Sequence, residues 1–181
     1  PYQVERQGKL DDVAVASTTT LIYGHRAAVV SFAVENSGDA AVPLEFFTLA
    51  WLDSVRDWDF ARPDSRTEAL PNANGPLLTL RQGDMAIVLG VDSPETAWEV
   101  SGNLGHAVTS IPAKQSRALN VVIAIGSADE AAASVATILA DVAGAVAAAN
   151  KEYARQVDAV FEKLPTLRSD NAQLVRWYNR S

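Results

Sequence analysis

The sequence predicts a mainly β protein with C-terminal helices: an antiparallel β-sandwich followed by two or three α-helices. Three observations carry that expectation. Up to about residue 126, runs rich in Val, Ile, Leu, Thr and aromatics alternate with Gly, Pro, Asn and Asp, and no helical period separates them. From Ser127 onward alanine dominates and Pro and Gly nearly vanish. At the junction, Ser127 and Glu130 have the spacing of a capping box, in which each side chain reaches the other residue's unpaired backbone N–H. The expected organisation is a sandwich over residues 1–126 and a helical linker over residues 127–181.

The strands follow in order. Residues 12–22 are β-prone and include three consecutive threonines. Residues 27–35 alternate, with Val30, Phe32 and Val34 on one face and Ser31 and Glu35 on the other. Asn36-Ser37-Gly38-Asp39 makes a turn, since these residues adopt turn backbone at little cost. Residues 44–52 are apolar on both faces and read as a strand buried between layers. Residues 53–76 have no period and read as one long loop. Residues 77–80 and 85–91 flank Arg81-Gln82-Gly83-Asp84 as a hairpin. Residues 96–101 form a shorter candidate carrying Trp98. The clearest strand is residues 117–126, with Leu119, Val121, Ile123 and Ile125 on one face and Asn120, Val122 and Ala124 on the other. It begins after Pro112, which cannot donate to a ladder.

Beyond Ser127 the helical sequence runs to Lys163. One unbroken helix of that length would be roughly 50 Å long. A break is therefore expected between Leu139 and Gly144, with Asp141 capping the second segment. That segment sets Val146, Tyr153, Val157, Val160 and Phe161 along one stripe, and Leu164-Pro165 ends it. Asp170 and Gln173 suit the start of a further helix near Asn171, which would hold Leu174, Val175, Trp177 and Tyr178. The alanine stripe between Ala131 and Ala149 points to close packing against a partner surface.

Composition narrows the function. The chain has 181 residues, 48% hydrophobic and 20% charged, a globular balance. A net charge of −7 and the lack of a basic stripe argue against nucleic acid and against basic membrane-surface helices. No apolar run reaches the roughly 20 residues of a membrane span, so no membrane partner is expected. With no cysteine there are no disulfides, thiolate zinc sites or thiol nucleophiles. Two histidines, His25 and His106, make a multi-histidine metal site improbable; both follow Gly and read as turn residues. Gly-rich phosphate loops are missing, so neither metal nor cofactor is expected. The chain starts at Pro1, its one methionine is Met85, and its last helix is apolar to the end, so it reads as part of a longer protein.

Several strings at the junction resemble a known arrangement. Ile111-Pro112-Ala113-Lys114-Gln115-Ser116, the strand to Gly126, Ser127-Ala128-Asp129-Glu130-Ala131, and Leu164-Pro165-Thr166-Leu167 through Trp177-Tyr178-Asn179-Arg180-Ser181 occur in a familiar order. Together they resemble the passage from an N-terminal β-sandwich into the (α/α)6 barrel of the six-hairpin glycosidases, the superfamily of glucoamylase-like, trehalase-like and processing α-glucosidase-like enzymes. Asn36-Ser37-Gly38-Asp39 with Val42-Pro43-Leu44 similarly resembles a turn of such sandwiches. The resemblance implies that the catalytic carboxylates belong to a downstream barrel of the same chain. No catalytic residue is carried onto this segment. Its part would be to support the barrel and to lend one wall of the sugar pocket.

The residues suited to that wall lie in the 53–76 stretch and just before it. Trp51, Asp53, Asp57, Trp58 and Asp59 are the candidate substrate-binding residues. Aromatic faces stack on sugar C–H surfaces while carboxylates accept hydroxyl hydrogen bonds. The plain alternative is a solvated loop whose aromatics pack on the sandwich. An EF-hand is rejected: Asp57, Asp59 and Glu68 fit three ligand positions, but Ala61 fails the fifth and Arg62 occupies the glycine. The sequon Asn179-Arg180-Ser181 falls within a predicted helix and carries no weight. The leading expectation is thus a non-catalytic sandwich and linker of a glycoside hydrolase. The rivals are a free-standing carbohydrate-binding module using Trp51, Trp58 and Trp98, and a structural sandwich with an assembly helix.

Overall fold

A computed structural model describes residues 3–48, 51–52, 67–68, 70–82, 84–93, 95–101, 104–163 and 169–178. In chain order the strands are β1 (Gln3–Leu10), β2 (Val13–Ile22), β3 (Ala27–Asn36), β4 (Val42–Thr48), β5 (Trp51–Leu52), β6 (Thr67–Glu68), β7 (Leu70–Asn74), β8 (Leu77–Gln82), β9 (Met85–Val91), β10 (Trp98–Ser101), β11 (Leu104–Ile111) and β12 (Gln115–Gly126). The helices are α1 (Ala128–Ala140), α2 (Val142–Lys163) and α3 (Ala172–Tyr178). The predicted class is the observed one, a β-sandwich followed by helices.

One sheet has seven strands in the order β1-β2-β3-β12-β9-β8-β7, antiparallel throughout. Two meanders, β1–β3 and β7–β9, are joined by β12, which lies between β3 and β9. A second sheet has the order β10-β11-β4. The period-2 pattern of β12 assigns its two faces to different neighbours. Val122 and Ala124 join Val29 and Val88 beneath the helices, while Leu119 and Val121 face the smaller sheet's residues Ile111, Trp98 and Ala107. The middle of the large sheet is therefore covered on both sides, which explains its near-continuous apolar sequence.

The helical layer begins at the capping box. Glu130 N donates to Ser127 Oγ at 3.4 Å, and Ser127 N and Oγ donate to Glu130 Oε2 at 3.3 and 2.8 Å. Ala131, Val135 and Ile138, at helical spacing, are buried on the sheet. The backbones come close there because the facing strand has Gly90. A Cβ at Gly90 would stand 2.6 Å from Val135 Cγ1 and 2.8 Å from Leu139 Cδ1. Gly105 does the same between the sheets, where a Cβ would collide with Leu78. Across that interface Phe32 and Phe46 meet edge to face with centroids 5.7 Å apart, an arrangement worth about 0.5–1.5 kcal/mol beyond area burial.

The expected break between the helices is at Asp141. Its Oδ1 accepts from Gly144 N at 2.9 Å, and α1 and α2 meet at 100°. Among the described residues no single helix is long and apolar enough to cross a membrane. α2 contributes Ala149 to the core, but Val160, expected on the apolar stripe, is 49% exposed. Phe161's side chain, Leu164 and Pro165 lie outside the described residues. α3 starts as expected near Asn171, but the cap is Asn171 itself and not Asp170. Asn171 Oδ1 accepts from Gln173 N and Leu174 N at 3.0 and 3.3 Å.

The turn after β3 ties the sheets together. Asn36 is 1% exposed. Its Nδ2 approaches the carbonyls of Ala40, Ile111 and Pro112 at 2.8, 3.2 and 3.1 Å, and its Oδ1 accepts from Gly38 N at 3.0 Å. An amide nitrogen has only two hydrogens, so one of them is shared between two carbonyls. One side chain thus joins the β3–β4 turn to the β11–β12 turn.

Four expectations need correction. Residues 44–52 are not one strand buried between layers. They split into β4, an edge strand of the smaller sheet with its outer face in solvent, and the two-residue β5. The 53–76 stretch is not all loop, since it contains β6 and β7. β7 pairs only with β8, and an edge position accommodates Pro71, whose missing N–H hides the strand from sequence reading. His106 is not in a turn but within β11, and Trp98 is 5% exposed in the core. β1 and β11 were not anticipated: β1 is exposed along nearly its whole length and lacks apolar alternation, and Gly105 before His106 mimics a turn.

Replacing Gly90 by Ala should destabilise the fold by about 1–3 kcal/mol through overpacking against α1, read as a lower urea midpoint with unchanged slope. Asn36→Ala leaves buried carbonyls without a donor and should cost about 2–3 kcal/mol, measured the same way. The Ser127 hydroxyl and backbone N–H hold the Glu130 carboxyl below its ordinary 4.5. A depressed carboxyl contributes its stabilisation fully above the unfolded value and loses it as pH falls through the lowered one. The first turn of α1 should therefore be intact at neutral pH and fray in acid below 4.5, seen as faster amide exchange at Ala131, and Glu130→Gln should remove that acid step.

Candidate functional site

β4 leaves the smaller sheet at Thr48, and the chain pairs again as β5 with β6, Trp51 opposite Glu68 and Leu52 opposite Thr67. This short ladder closes the base of the 53–66 segment between the last strand of one sheet and β7 of the other. Of the residues expected to bind substrate, Trp51 is on β5 at the base of the segment. Asp53, Asp57, Trp58 and Asp59 lie outside the described residues.

The strand that precedes this ladder in the chain, β4, forms one edge of the smaller sheet, whose outer face is exposed. Alternation along β4 points Leu44 and Phe46 inward and leaves Pro43, Glu45 and Phe47 exposed. Cross-strand register puts Glu99, His106 and Phe47 in one row over three strands. Phe47 is 60% exposed and stacks on the His106 ring, centroids 4.6 Å apart and planes 10° from parallel. Glu45 Oε2 stands 3.6 Å from His106 Nε2, an ion pair only when the imidazole is protonated. Val108, 43% exposed, lies opposite Glu45 and continues the apolar part of the patch.

His106 Nε2 is shielded from solvent and has no hydrogen-bond partner among the described residues, as do Trp98 Nε1 and Thr96 Oγ1. The gap to Glu45 is just beyond hydrogen-bond length, and a shift of a few tenths of an ångström closes it. The imidazole is thus fixed between a ring on one side and a carboxylate on another. The resulting platform has a flat aromatic plate flanked by hydrogen-bond acceptors. It suits a ligand with an apolar face and hydroxyls at its edge.

The tryptophan expected to stack on a ligand from the 96–101 strand does not take part. Trp98 packs with Leu78, Leu80 and Ala107 between the sheets. Sequence reasoning missed the Phe47 and His106 pair because the apolar density of residues 44–52 masked their alternation. The signal was present in Pro43, Glu45 and Phe47 at every second position. Glu45 and Glu99 are on opposite sides of β11, both in solvent. Neither has the apolar enclosure from which a general acid draws its proton affinity. Among the described residues no group of three or more His, Asp or Glu could hold a metal ion.

No protein-family model matches the chain, and no curated protein does. Solved structures that it resembles include a protein assigned as a kojibiose phosphorylase, from the human microbiome, at 10% identity over 76% of this chain and 19% of that one, with a TM-score of 0.49. Another is Slr1438 from Synechocystis sp. PCC 6803, at 12% identity over 69% of this chain and 61% of that one, TM-score 0.38. A third is a protein assigned as an aldose 1-epimerase from Escherichia coli K12, at 10% identity over 69% and 64%, TM-score 0.35. The chain spans less than two thirds of each of these three.

Proposed function

We propose that this chain is the non-catalytic sandwich and linker region of an enzyme that cleaves O-glycosidic bonds, and that the outer face of β4, β11 and β10 with the 53–66 segment forms one wall of its sugar site. The observation that carries the proposal is the exposed Phe47 ring, held flat on His106 beside Glu45 and Glu99, on the strand that precedes Trp51 in the chain. Sugar rings offer C–H faces to such a plate and hydroxyls to such carboxylates. Residues 1–126 are the sandwich and residues 127–181 the linker. The partner is a downstream (α/α)6 barrel that supplies the general acid and base across the scissile bond. Neither nucleic acid nor membrane has a part.

A free-standing carbohydrate-binding module is the second reading. What favours it is that the platform is complete on one sheet face and needs no barrel to assemble it.

A panel of oligosaccharides tested on the isolated chain separates the outcomes. Binding is expected, weakened roughly tenfold or more, about 1.4 kcal/mol, by Phe47→Ala, and reduced also by Trp51→Ala. A panel without a single binder overturns the carbohydrate reading of this face. In the longer natural protein, removal of residues 1–126 should leave the barrel insoluble or unstable. A stable and fully active remainder would leave only the module.

A further inference from the structure

A second surface lies on the helical side of the large sheet, on the far side of the molecule's layers from Phe47. α2 meets β2 through a narrow contact: Ala149 is buried near Ile22, and Gln3 Nε2 donates to both Thr20 Oγ1 at 3.2 Å and Asn150 Oδ1 at 3.3 Å. Between that contact and the β2–β3 turn there is a crevice of about 210 Å³.

The helix presents an ordered set of groups to it. Asn150, Tyr153 and Gln156 line the crevice at spacings of three, which places them along one face of α2. Gln3 occupies the Asn150 carbonyl, so the amide nitrogen is the group left to donate. Gln156 Nε2 donates to Glu152 Oε1 at 3.3 Å, so its carbonyl is the group left to accept. A donor and an acceptor therefore flank an aromatic ring. Opposite them, the β2–β3 turn brings Tyr23, which is 58% exposed, and His25. Among the described residues no carboxylate, ammonium or guanidinium lines the crevice. The Arg155 and Glu152 charges on the same helix close on each other at 2.6 Å.

Two aromatic phenol rings, one imidazole, mixed donors and acceptors and no permanently charged group define the ligand chemistry. An ion would be desolvated without a counter-charge, and a purely apolar molecule would strip water from the amides for nothing in return. We propose that the crevice between the β2–β3 turn and α2 binds a small, neutral, hydroxyl-rich molecule of monosaccharide size. The proposal does not rest on the platform around Phe47, which is on a different layer.

The test is an NMR titration of the chain with D-glucose and with myo-inositol, beside D-glucuronate and D-glucosamine as charged counterparts. Saturable shifts are expected at the amides of Gly24, Asn150 and Gln156 with the neutral probes, at about millimolar concentration. Tyr23→Ala and Gln156→Leu, both at positions open to solvent on one side, should each weaken them roughly tenfold with the rest of the spectrum unchanged. Lack of saturation with both neutral probes, equal response to the charged ones, or full binding in both variants overturns the proposal. Shifts confined to Phe47 and His106 would uphold the platform and overturn the crevice. Shifts at Gly24 and Asn150 that persist in Phe47→Ala would uphold the crevice as a site separate from the platform.

Discussion

The large sheet has to bury both of its faces, and the rest of the molecule follows from that requirement. A strand covered on one side alternates apolar and polar residues, but β12 and β9 are apolar on both, so each needs a layer above and a layer below. α1 supplies one and the β10-β11-β4 sheet the other. Each layer comes within reach of its neighbour at a residue without a side chain, Gly90 under α1 and Gly105 against Leu78. The two surfaces considered for binding lie outside these interfaces: the far face of the small sheet and the rim where α2 meets β2.

Legibility in the sequence tracked how directly local residues report on their surroundings. The capping box, the break at Asp141 and the face assignment of β12 were all readable, because cap chemistry and a period of two depend on neighbours in the chain. The edge strands were not. β1 exposes nearly every side chain, and β7 carries Pro71, so neither displays the alternation that burial imposes. Their strand character comes from the ladders with β2 and β8, reached through two-residue turns, which the side-chain pattern of β1 and β7 themselves does not report. The platform was half legible: Glu45 and Phe47 alternate correctly, but only the ladder between β4 and β11 brings His106 beneath the phenyl ring. Of the residues that the sequence puts forward for sugar contact, Trp51 has a described position on β5 and Trp98 one in the core; the others lie outside the described residues.

The groups of the platform are held by stacking and register; Phe47, Glu45 and Glu99 are open to solvent, while His106 Nε2 is shielded. Hydrolysis needs carboxylic acids with strongly divergent environments, one shielded and one solvated. Glu45 and Glu99 share the same exposed face. The row of Glu99, His106 and Phe47 depends on the placement of β11 between β10 and β4. Asn36 matters to it indirectly, since it locks the end of β3 to the β11–β12 turn and so fixes how β11 lies over the large sheet.

The position of β12 carries a consequence for how the chain acquires this structure. Among the described strands it comes last in the chain, and it occupies the centre of its sheet, between β3 and β9. Until residues 115–126 emerge, the first meander ends in an open β3 edge and the second in an open β9 edge, each with apolar residues facing water. The two halves then join in one late event that closes loops of many tens of residues, a topology associated with slow folding. During translation the nascent protein therefore passes through a stage with two unpaired, sticky edges, when strand exchange with another nascent copy competes with insertion of its own central strand.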